Sequence, residues 1–125
     1  LLRDHVDTES GLFSAMAHPS LGESLTLIHS NPTYKLTLDK LASAAAMSRS
    51  AYASLFKQMV GLSPADYILQ WRMAQAHRWL ADDGISTLDA ALRCGYESEA
   101  SFSKAFKRVL GVGPGVARNM YSRIQ

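Results

Sequence analysis

The sequence predicts an all-α protein of about seven helices, in which two helix-turn-helix subdomains are joined by a long linker helix. Apolar residues recur at helical spacing along most of the chain. Between Ser86 and Arg108, a short helix, a tight turn and a second helix with a basic outer face follow one another. A similar pattern occurs about fifty residues earlier, which indicates two similar modules with a connecting segment between them.

The segment from Ser86 to Arg108 shows the pattern most clearly. Leu88, Ala91 and Leu92 predict an apolar stripe on its first helix, and Gly95 supplies a residue that can adopt the left-handed conformation of a sharp turn. Its second helix is expected over about 98–110, with Ser98 as the N-cap and Phe102, Phe106 and Val109 or Leu110 on the inner face.

The first module repeats the key residues of the second at a constant spacing. Ser48, Tyr52, Phe56, Gly61 and Pro64 correspond to Ser98, Phe102, Phe106, Gly111 and Pro114, each fifty residues later. The second helix of the first module is therefore expected over about 48–59, with Tyr52, Leu55, Phe56 and Met59 facing inward.

Taken together, these segments resemble the C-terminal DNA-binding domain of the AraC/XylS family of bacterial transcription regulators. The resemblance covers about residues 20–121, and its specificity comes from the order and spacing of many short matches. The matching segments are 41–42, 47–50, 55–57, 61–64, 67–68, 72–73, 95–98, 102–107 and 111–114.

The resemblance implies a division of the chain into four parts. Residues 1–19 are expected to be the end of a linker from an upstream effector domain, although a disordered N-terminal tail is the alternative. Residues 20–62 are expected to form the first helix-turn-helix subdomain, 63–83 the connecting helix and 84–125 the second helix-turn-helix subdomain.

The elements of the first subdomain can be justified in order. Leu21, Leu25 and Ile28 predict a supporting helix that Asn31–Pro32 ends. Thr37 is the expected N-cap of the next helix, whose buried residues would be Leu38, Leu41, Ala42 and Ala45. Ala46 stands where the family usually has glycine, so a left-handed turn at this position would be strained by about 1–2 kcal/mol.

The connecting helix is predicted to begin at Ser63–Pro64, an N-cap followed by proline at the first helical position, and to end near Asp82–Gly84. Its apolar residues are spread widely around the helix. They are Tyr67, Ile68, Trp71, Ala74, Leu80 and Trp79. After the second module, Pro114 predicts a short last helix to about Tyr121.

Two sets of residues are candidates for DNA contacts, by analogy with the family. Base-reading residues would lie on the outer faces of the two recognition helices: Arg49, Ser50, Ala53 and Ser54 on the first, and Glu99, Ala100, Ser103 and Lys104 on the second. Phosphate contacts would come from Lys57, Arg72, Lys107 and the helix N-termini at Thr37, Ser48, Ser63 and Ser98. For Glu99, the alternative is a favourable charge in the first helical turn.

Composition and charge narrow the class of protein. The residues are 47% hydrophobic and 19% charged, as in soluble globular proteins, and no apolar run is long enough for a membrane span. Residues 1–33 carry a net charge of −3 and the remainder +5. A basic domain is compatible with a phosphate-backbone partner. The single cysteine, Cys94, is expected to be a small apolar filler in a protein of the reducing cytoplasm.

No arrangement of residues indicates an enzyme. The histidines His5, His18, His29 and His77 are scattered, and none forms an HExxH motif or pairs with cysteine at metal-ligand spacing. We therefore expect no catalytic residues, no metal and no cofactor.

The leading interpretation is sequence-specific DNA binding by a bacterial transcription regulator. Two recognition helices would enter successive major grooves of an asymmetric operator. The expected partners are double-stranded DNA and, at a promoter, RNA polymerase, with no membrane; the isolated domain would be monomeric and the full-length regulator could dimerise through its missing domain. The alternative is a helical protein-interaction module that has lost DNA binding, which the small outward residues Ser50, Ala53 and Ser54 favour.

Overall fold

The computed structural model describes residues 11–30 and 36–124, and within these ranges every regular element is helical. Residues 11–17 are helical (α1). The elements that follow are α2 (Gly22–Ser30), α3 (Leu38–Ala44), α4 (Arg49–Val60), α5 (Pro64–Arg78), a π-helical turn (Trp79–Asp83), α6 (Thr87–Arg93), α7 (Glu99–Leu110) and α8 (Pro114–Ile124). The all-α prediction is confirmed, with eight α-helices in the described ranges where about seven were expected.

The described residues form two compact units, and the boundary between them falls between Ile68 and Leu69, inside α5. The expected linker over 1–19 is described only from residue 11, and the predicted helix stop at Asn31–Pro32 lies outside the described residues, as does His5. At the described end of that linker, Gly11 lies so close to the carbonyl of Met59 that no Cβ could be accommodated, so α1 packs against the end of α4.

The first unit is built around the inner face of α4. Tyr52 and Phe56 are fully buried there, and their rings lie 5.8 Å apart. The Tyr52 hydroxyl donates to Ser24 Oγ at 3.0 Å, and Ser24 in turn donates to the Leu21 carbonyl at 2.8 Å. This buried chain of hydrogen bonds holds the supporting helix α2 behind α4, because breaking it would leave a buried hydroxyl without a partner.

The second unit has an equivalent core around α7. Phe102 and Phe106 are fully buried with ring centroids 5.6 Å apart, and His77 stacks on Phe106 at 6.3 Å. The other buried residues of this core are Met73, Ala76, Leu80, Ala90, Ala91, Cys94, Ala105 and Ala117. The prediction that the paired aromatic residues anchor the two modules agrees with this packing.

Several residues that were predicted to face inward are not buried. Leu88 and Leu92 are 49% and 55% exposed, whereas Ala91 of the same predicted stripe is buried, together with Ala90 and Cys94. Of the alternatives Val109 and Leu110, Val109 packs against the core and Leu110 is exposed. Leu38, Leu55 and Met59 are half-buried rather than buried. On α5, the buried positions are Pro64, Met73 and Ala76, and the last two were not among the apolar residues selected from the sequence.

Candidate nucleic-acid interface

Each unit contains two helices joined by a turn with a left-handed residue. In the first unit this residue is Ala46, with φ 57°, and the N–H of Met47 donates to the Ala42 carbonyl at 2.9 Å. In the second unit Gly95 has φ 83°, and the N–H of Tyr96 donates to the Ala91 carbonyl at 3.0 Å. Both turns thus end their first helix with the same hydrogen-bonding pattern, a Schellman motif.

The recognition helices begin and end in the same way. Ser48 Oγ accepts from the N–H of Ala51 at 3.3 Å, and Ser98 Oγ accepts from the N–H of Ser101 at 3.1 Å. At the other end, Gly61 and Gly111 are left-handed. The sequence-predicted bounds of α4 and α7 agree with the structure to within one residue at each end.

The remaining predicted caps are also present, at Thr37 and Ser63. Thr37 Oγ1 accepts from the N–H of Lys40, and Ser63 Oγ accepts from the N–H of Asp66, each at 3.2 Å. A capping hydroxyl that accepts can still donate to a phosphate oxygen, and the other N–H groups of the first turn point the same way. Ser98 differs, because its hydroxyl already donates to Ser101 Oγ at 2.9 Å.

The outer face of α4 presents small groups and one cation, Arg49, which forms an ion pair. Ser50 and Ser54 are exposed, while Ala53 is half-buried. Arg49 Nε lies 3.3 Å from Asp39 Oδ1 of α3, and the two side chains are 68% and 72% exposed. An ion pair this exposed contributes about 0–1 kcal/mol, so Arg49 can exchange it for a DNA contact at little cost. This ion pair was not predicted from the sequence.

The outer face of α7 is more strongly charged. Glu99, Ala100, Lys104 and Lys107 are exposed, and Ser103 is half-buried. Lys57 is the exposed counterpart of Lys107 on α4. All eight predicted base-reading residues therefore lie on the recognition helices with at least part of the side chain accessible.

Arg72 is the one predicted phosphate contact that lies on neither a recognition helix nor a helix N-terminus. It is half-buried on α5, and its carbonyl accepts a hydrogen bond from Cys94 Sγ at 3.7 Å. Burial raises the pKa of the Cys94 thiol to about 11, while the positive charge of Arg72 acts in the opposite direction. Cys94 is therefore a protonated core residue at neutral pH, as the sequence analysis expected.

Further exposed cations of the second unit were not selected from the sequence. The Arg93 guanidinium lies over the Trp79 ring at 5.2 Å, and Arg118 Nε donates to the Ile85 carbonyl at 3.0 Å. By sequence, the second unit holds nine basic and five acidic residues, whereas the first holds four and six. The excess positive charge of the chain therefore belongs to the second unit.

Beside the outer face of α4, the first unit has two adjoining concavities. An open depression of about 480 Å³ is lined by Leu38, Arg49, Ser50 and Ala53. An adjoining pocket of about 270 Å³ shares Leu38 and Ala53 with it; its other lining residues include Leu36, Leu41, Pro64 and Ile68. Ser50 and Ala53, two small side chains of α4, line the depression beside Leu38 of α3.

The described residues also bear on whether the chain holds a metal site or a membrane span. Among residues 11–30 and 36–124, no group of histidine, cysteine, aspartate or glutamate side chains is arranged to hold a metal ion. None of the helices in these ranges combines the length and the apolar character that crossing a membrane requires.

Two helix-turn-helix units, each with an exposed polar face on its second helix, define the class of protein as a helix-turn-helix DNA-binding domain. A family described as a helix-turn-helix domain matches residues 41–120. An AraC-like transcription regulator of Streptomyces antibioticus is 41% identical over 109 residues, which cover 87% of this chain and 36% of that protein. The regulator AlkR of Acinetobacter baylyi is 35% identical over 116 residues, covering 90% of this chain and 38% of AlkR.

Solved structures agree with the sequence relatives. An AraC-type DNA-binding domain protein from Chromobacterium violaceum superposes with a TM-score of 0.78 at 28% identity, covering 89% of this chain and 99% of that one. The DNA-binding domain of AdpA, solved in complex with a target DNA, gives a TM-score of 0.76 at 27% identity, covering 86% and 96%.

The chain belongs to the AraC-type helix-turn-helix family of bacterial transcription regulators, and its function is sequence-specific DNA binding. The family resemblance noted in the sequence is therefore confirmed. Because this is a family of transcription regulators and not of enzymes, the expectation of a non-enzymatic protein is also confirmed. The chain spans only about a third of the length of the regulators that it matches.

Proposed function

We propose that this domain binds an asymmetric DNA site in two parts, with α4 in one major groove and α7 in the next. The observation that carries the proposal is the pair of recognition helices, which share their caps and buried aromatic residues but differ in their outer side chains. Helices with different outer residues read different bases, so the two half-sites should differ in sequence. The AdpA domain, of similar fold, is known in complex with its target DNA, which supports the choice of partner.

In the first half-site, recognition depends on small groups. Ser50 and Ser54 can donate to or accept from base edges, Ala53 can contact a thymine methyl, and Arg49 can leave its exposed pair with Asp39 to reach a base or a phosphate. Because few of these groups are long, we infer that part of the specificity of this module comes from the shape of the DNA.

In the second half-site, the side chains are longer and more charged. Lys104 is exposed on the middle of α7 and can donate to the acceptors of guanine, while Ser103 and Ala100 lie beside it on the outer face. Glu99 can accept a hydrogen bond from a cytosine amine, or its negative charge can instead stabilise the N-terminus of α7.

Phosphate contacts complete the proposed interface. Lys57 and Lys107 lie near the ends of the recognition helices, and capped N-termini occur at Thr37, Ser48, Ser63 and Ser98. Arg72 is half-buried, so only part of its side chain is accessible to a phosphate. Because the second unit carries the excess positive charge, it should supply most of the salt-dependent affinity.

A titration with selected DNA tests this function. A duplex enriched from a random library by the chain is compared with an unrelated duplex of equal length, at several salt concentrations. We expect specific binding to be tighter by about 10³-fold or more, with a negative slope of log affinity against log salt. Equal affinity for both duplexes would overturn sequence-specific binding by this domain.

Lys104→Ala assigns the role of that lysine, with Arg78→Ala as a control that removes an exposed charge from α5. If Lys104 reads a base, the variant loses about 1–3 kcal/mol on the selected duplex only. If it holds a phosphate, both duplexes weaken alike and the salt slope falls by about one unit. If Lys104→Ala binds both duplexes as Arg78→Ala does, neither role is correct.

We further propose that the complete regulator acts in the bacterial cytoplasm and carries an effector domain upstream of residue 20. In this proposal the upstream domain mediates dimerisation, the isolated domain is monomeric, and RNA polymerase is the partner at a promoter. Light scattering of the isolated chain and of the full-length regulator tests the oligomeric part. Co-binding of RNA polymerase to promoter DNA that carries the regulator tests the polymerase part.

A further inference from the structure

Leu38 lies beside the groove-facing residues of α4 although it belongs to α3. It is the first residue of α3, directly after the N-cap Thr37, and it is half-buried. Its side chain lines the open depression together with Arg49, Ser50 and Ala53, and it also lines the adjoining apolar pocket. An apolar side chain is therefore continuous with the face that the proposed function places against the base edges.

The chemistry of this surface restricts what it can contact in a major groove. Most base edges present hydrogen-bond donors or acceptors there, which an apolar side chain cannot satisfy and would desolvate at a cost. The C5-methyl group of thymine is the apolar feature among them, and alanine or other aliphatic groups contact it favourably. Leu38 and Ala53 share both concavities, so they are placed to contact one such methyl group together.

We infer that Leu38 is a further specificity-determining residue, which forms with Ala53 an apolar contact for the methyl group of one thymine in the first half-site. This inference rests on the proposed function. It explains how a recognition helix with small outward residues can still select a base, because the contact surface is completed by the preceding helix. In the second unit the residue after the N-cap is Thr87, so the same apolar contact is not repeated there.

The first experiment changes the DNA and leaves the protein intact. In the duplex selected by the chain, each thymine is replaced in turn by deoxyuridine, which lacks only the C5-methyl group. One position in the first half-site should weaken binding by about fourfold, the factor expected when one buried methyl group is removed. If no thymine in that half-site shows a loss, the inference is wrong.

The second experiment couples that loss to Leu38. In Leu38→Ala, deoxyuridine at the sensitive position should cost clearly less than in the parent, because the methyl group has lost one of its two apolar partners and the two changes are no longer additive. Leu38→Met keeps an apolar side chain of similar volume and should retain most of the loss. Leu88→Ala removes the same atoms from an exposed leucine of α6 and should leave the loss unchanged.

The outcomes separate failure of this inference from failure of the proposed function. If the chain selects no preferred sequence in the first half-site, the proposed function of the first module fails. If it selects a sequence but the deoxyuridine loss is equal in the parent, Leu38→Ala and Leu88→Ala, the function stands and the role of Leu38 is wrong. Circular dichroism of each variant confirms that the helices are retained, and Leu38→Val, a smaller truncation, replaces Leu38→Ala if that variant does not fold.

Discussion

The left-handed alanine in the first turn is a local departure from the favoured chemistry of this motif. Ala46 has φ 57°, a conformation in which a Cβ is crowded by the following carbonyl oxygen. The second turn solves the same geometric problem with Gly95 at φ 83°. The buried residues on both sides, among them Ala45 and Tyr52, hold the first turn in place despite this strain.

Replacing Ala46 by glycine should stabilise the protein. Relief of the strain contributes about 1–2 kcal/mol, and the greater freedom of glycine in the unfolded chain offsets about 0.4–1 kcal/mol of it. A net gain of between about 0 and 1.6 kcal/mol is expected in chemical denaturation. Ala74→Gly is the matched control: Ala74 is exposed inside α5, so glycine there should destabilise by about 1 kcal/mol. Equal effects of the two substitutions would contradict the assignment of strain to Ala46.

His29 makes the stability of the first unit depend on pH. Its Nε2 lies 2.5 Å from the Tyr67 hydroxyl oxygen, and the ring is half-buried. Burial lowers the pKa of His29 below its ordinary value of 6.5, because the charged form is poorly solvated there. The unfolded chain therefore binds a proton at a higher pH than the native chain does, and the stability contributed by neutral His29 is present above about pH 6.5 and lost as pH falls.

The free energy of unfolding should consequently fall as the pH is lowered from about 7 toward 5, and His29→Gln should reduce that fall. Glutamine keeps a polar group near Tyr67 but does not titrate. Chemical denaturation of the parent and the variant at several pH values measures the difference, from which the other histidines cancel because both chains contain them. Parallel stability curves for the two proteins would show that His29 does not contribute.

At the scale of the elements, the sequence predicts helix ends more accurately than buried faces. Caps are specified by single residues, so Thr37, Ser48, Ser63 and Ser98 could be recognised directly. The buried face of α6 depends on where the helix begins relative to its partner. The repeat spacing is 50 for the recognition helices but 49 from Thr37 to Ser86, because the second turn contains one more residue.

That single residue explains the error at Leu88 and Leu92. At a spacing of 49, the buried Leu41, Ala42 and Ala45 of α3 correspond to Ala90, Ala91 and Cys94 of α6. Leucine indicates a buried position in a hydrophobic pattern more strongly than alanine or cysteine does. Closely packed helices nevertheless favour small residues at their contacts. The prediction of the site was also incomplete, because nothing in the sequence indicates that Leu38 lies beside α4 or that Asp39 pairs with Arg49.

The aromatic anchors of α4 and α7 should dominate the stability of their units. Phe56 and Phe106 are fully buried, so Phe56→Ala and Phe106→Ala should each destabilise by about 3–5 kcal/mol through lost contacts and a residual cavity. Phe13→Ala is the control, because that ring is 73% exposed and its loss should change stability by about 0.5 kcal/mol or less. Circular dichroism during chemical denaturation measures all three. A core variant as stable as Phe13→Ala would contradict the assigned core.

At the scale of the whole molecule, the two units divide the requirements of DNA binding unequally. The second unit carries the excess positive charge, whereas the outer face of the first carries Arg49, small groups and a depression lined in part by the apolar Leu38 and Ala53. The second unit is therefore suited to bind DNA with strong dependence on salt, and the first to add selectivity. Both units include part of α5, so the polypeptide between them is helical and not an extended linker.

The proposed two-part site makes a prediction about DNA spacing. A turn of B-DNA is roughly 10–10.5 base pairs, so an insertion of about five base pairs between the half-sites moves the second one to the opposite side of the duplex. The expected loss depends on α5, which contains the boundary between the units, because a helix has a fixed rise per residue and gains no length without breaking its hydrogen bonds. Affinity should then fall to that of one half-site, since the second unit loses the effective concentration that the first provides.

The measurement is a titration of the chain on the parent site, on the spaced site and on a control with the five base pairs inserted outside the site. Equal affinity for all three would mean that a single unit binds; the second unit would then be the binding one, because it holds the charge.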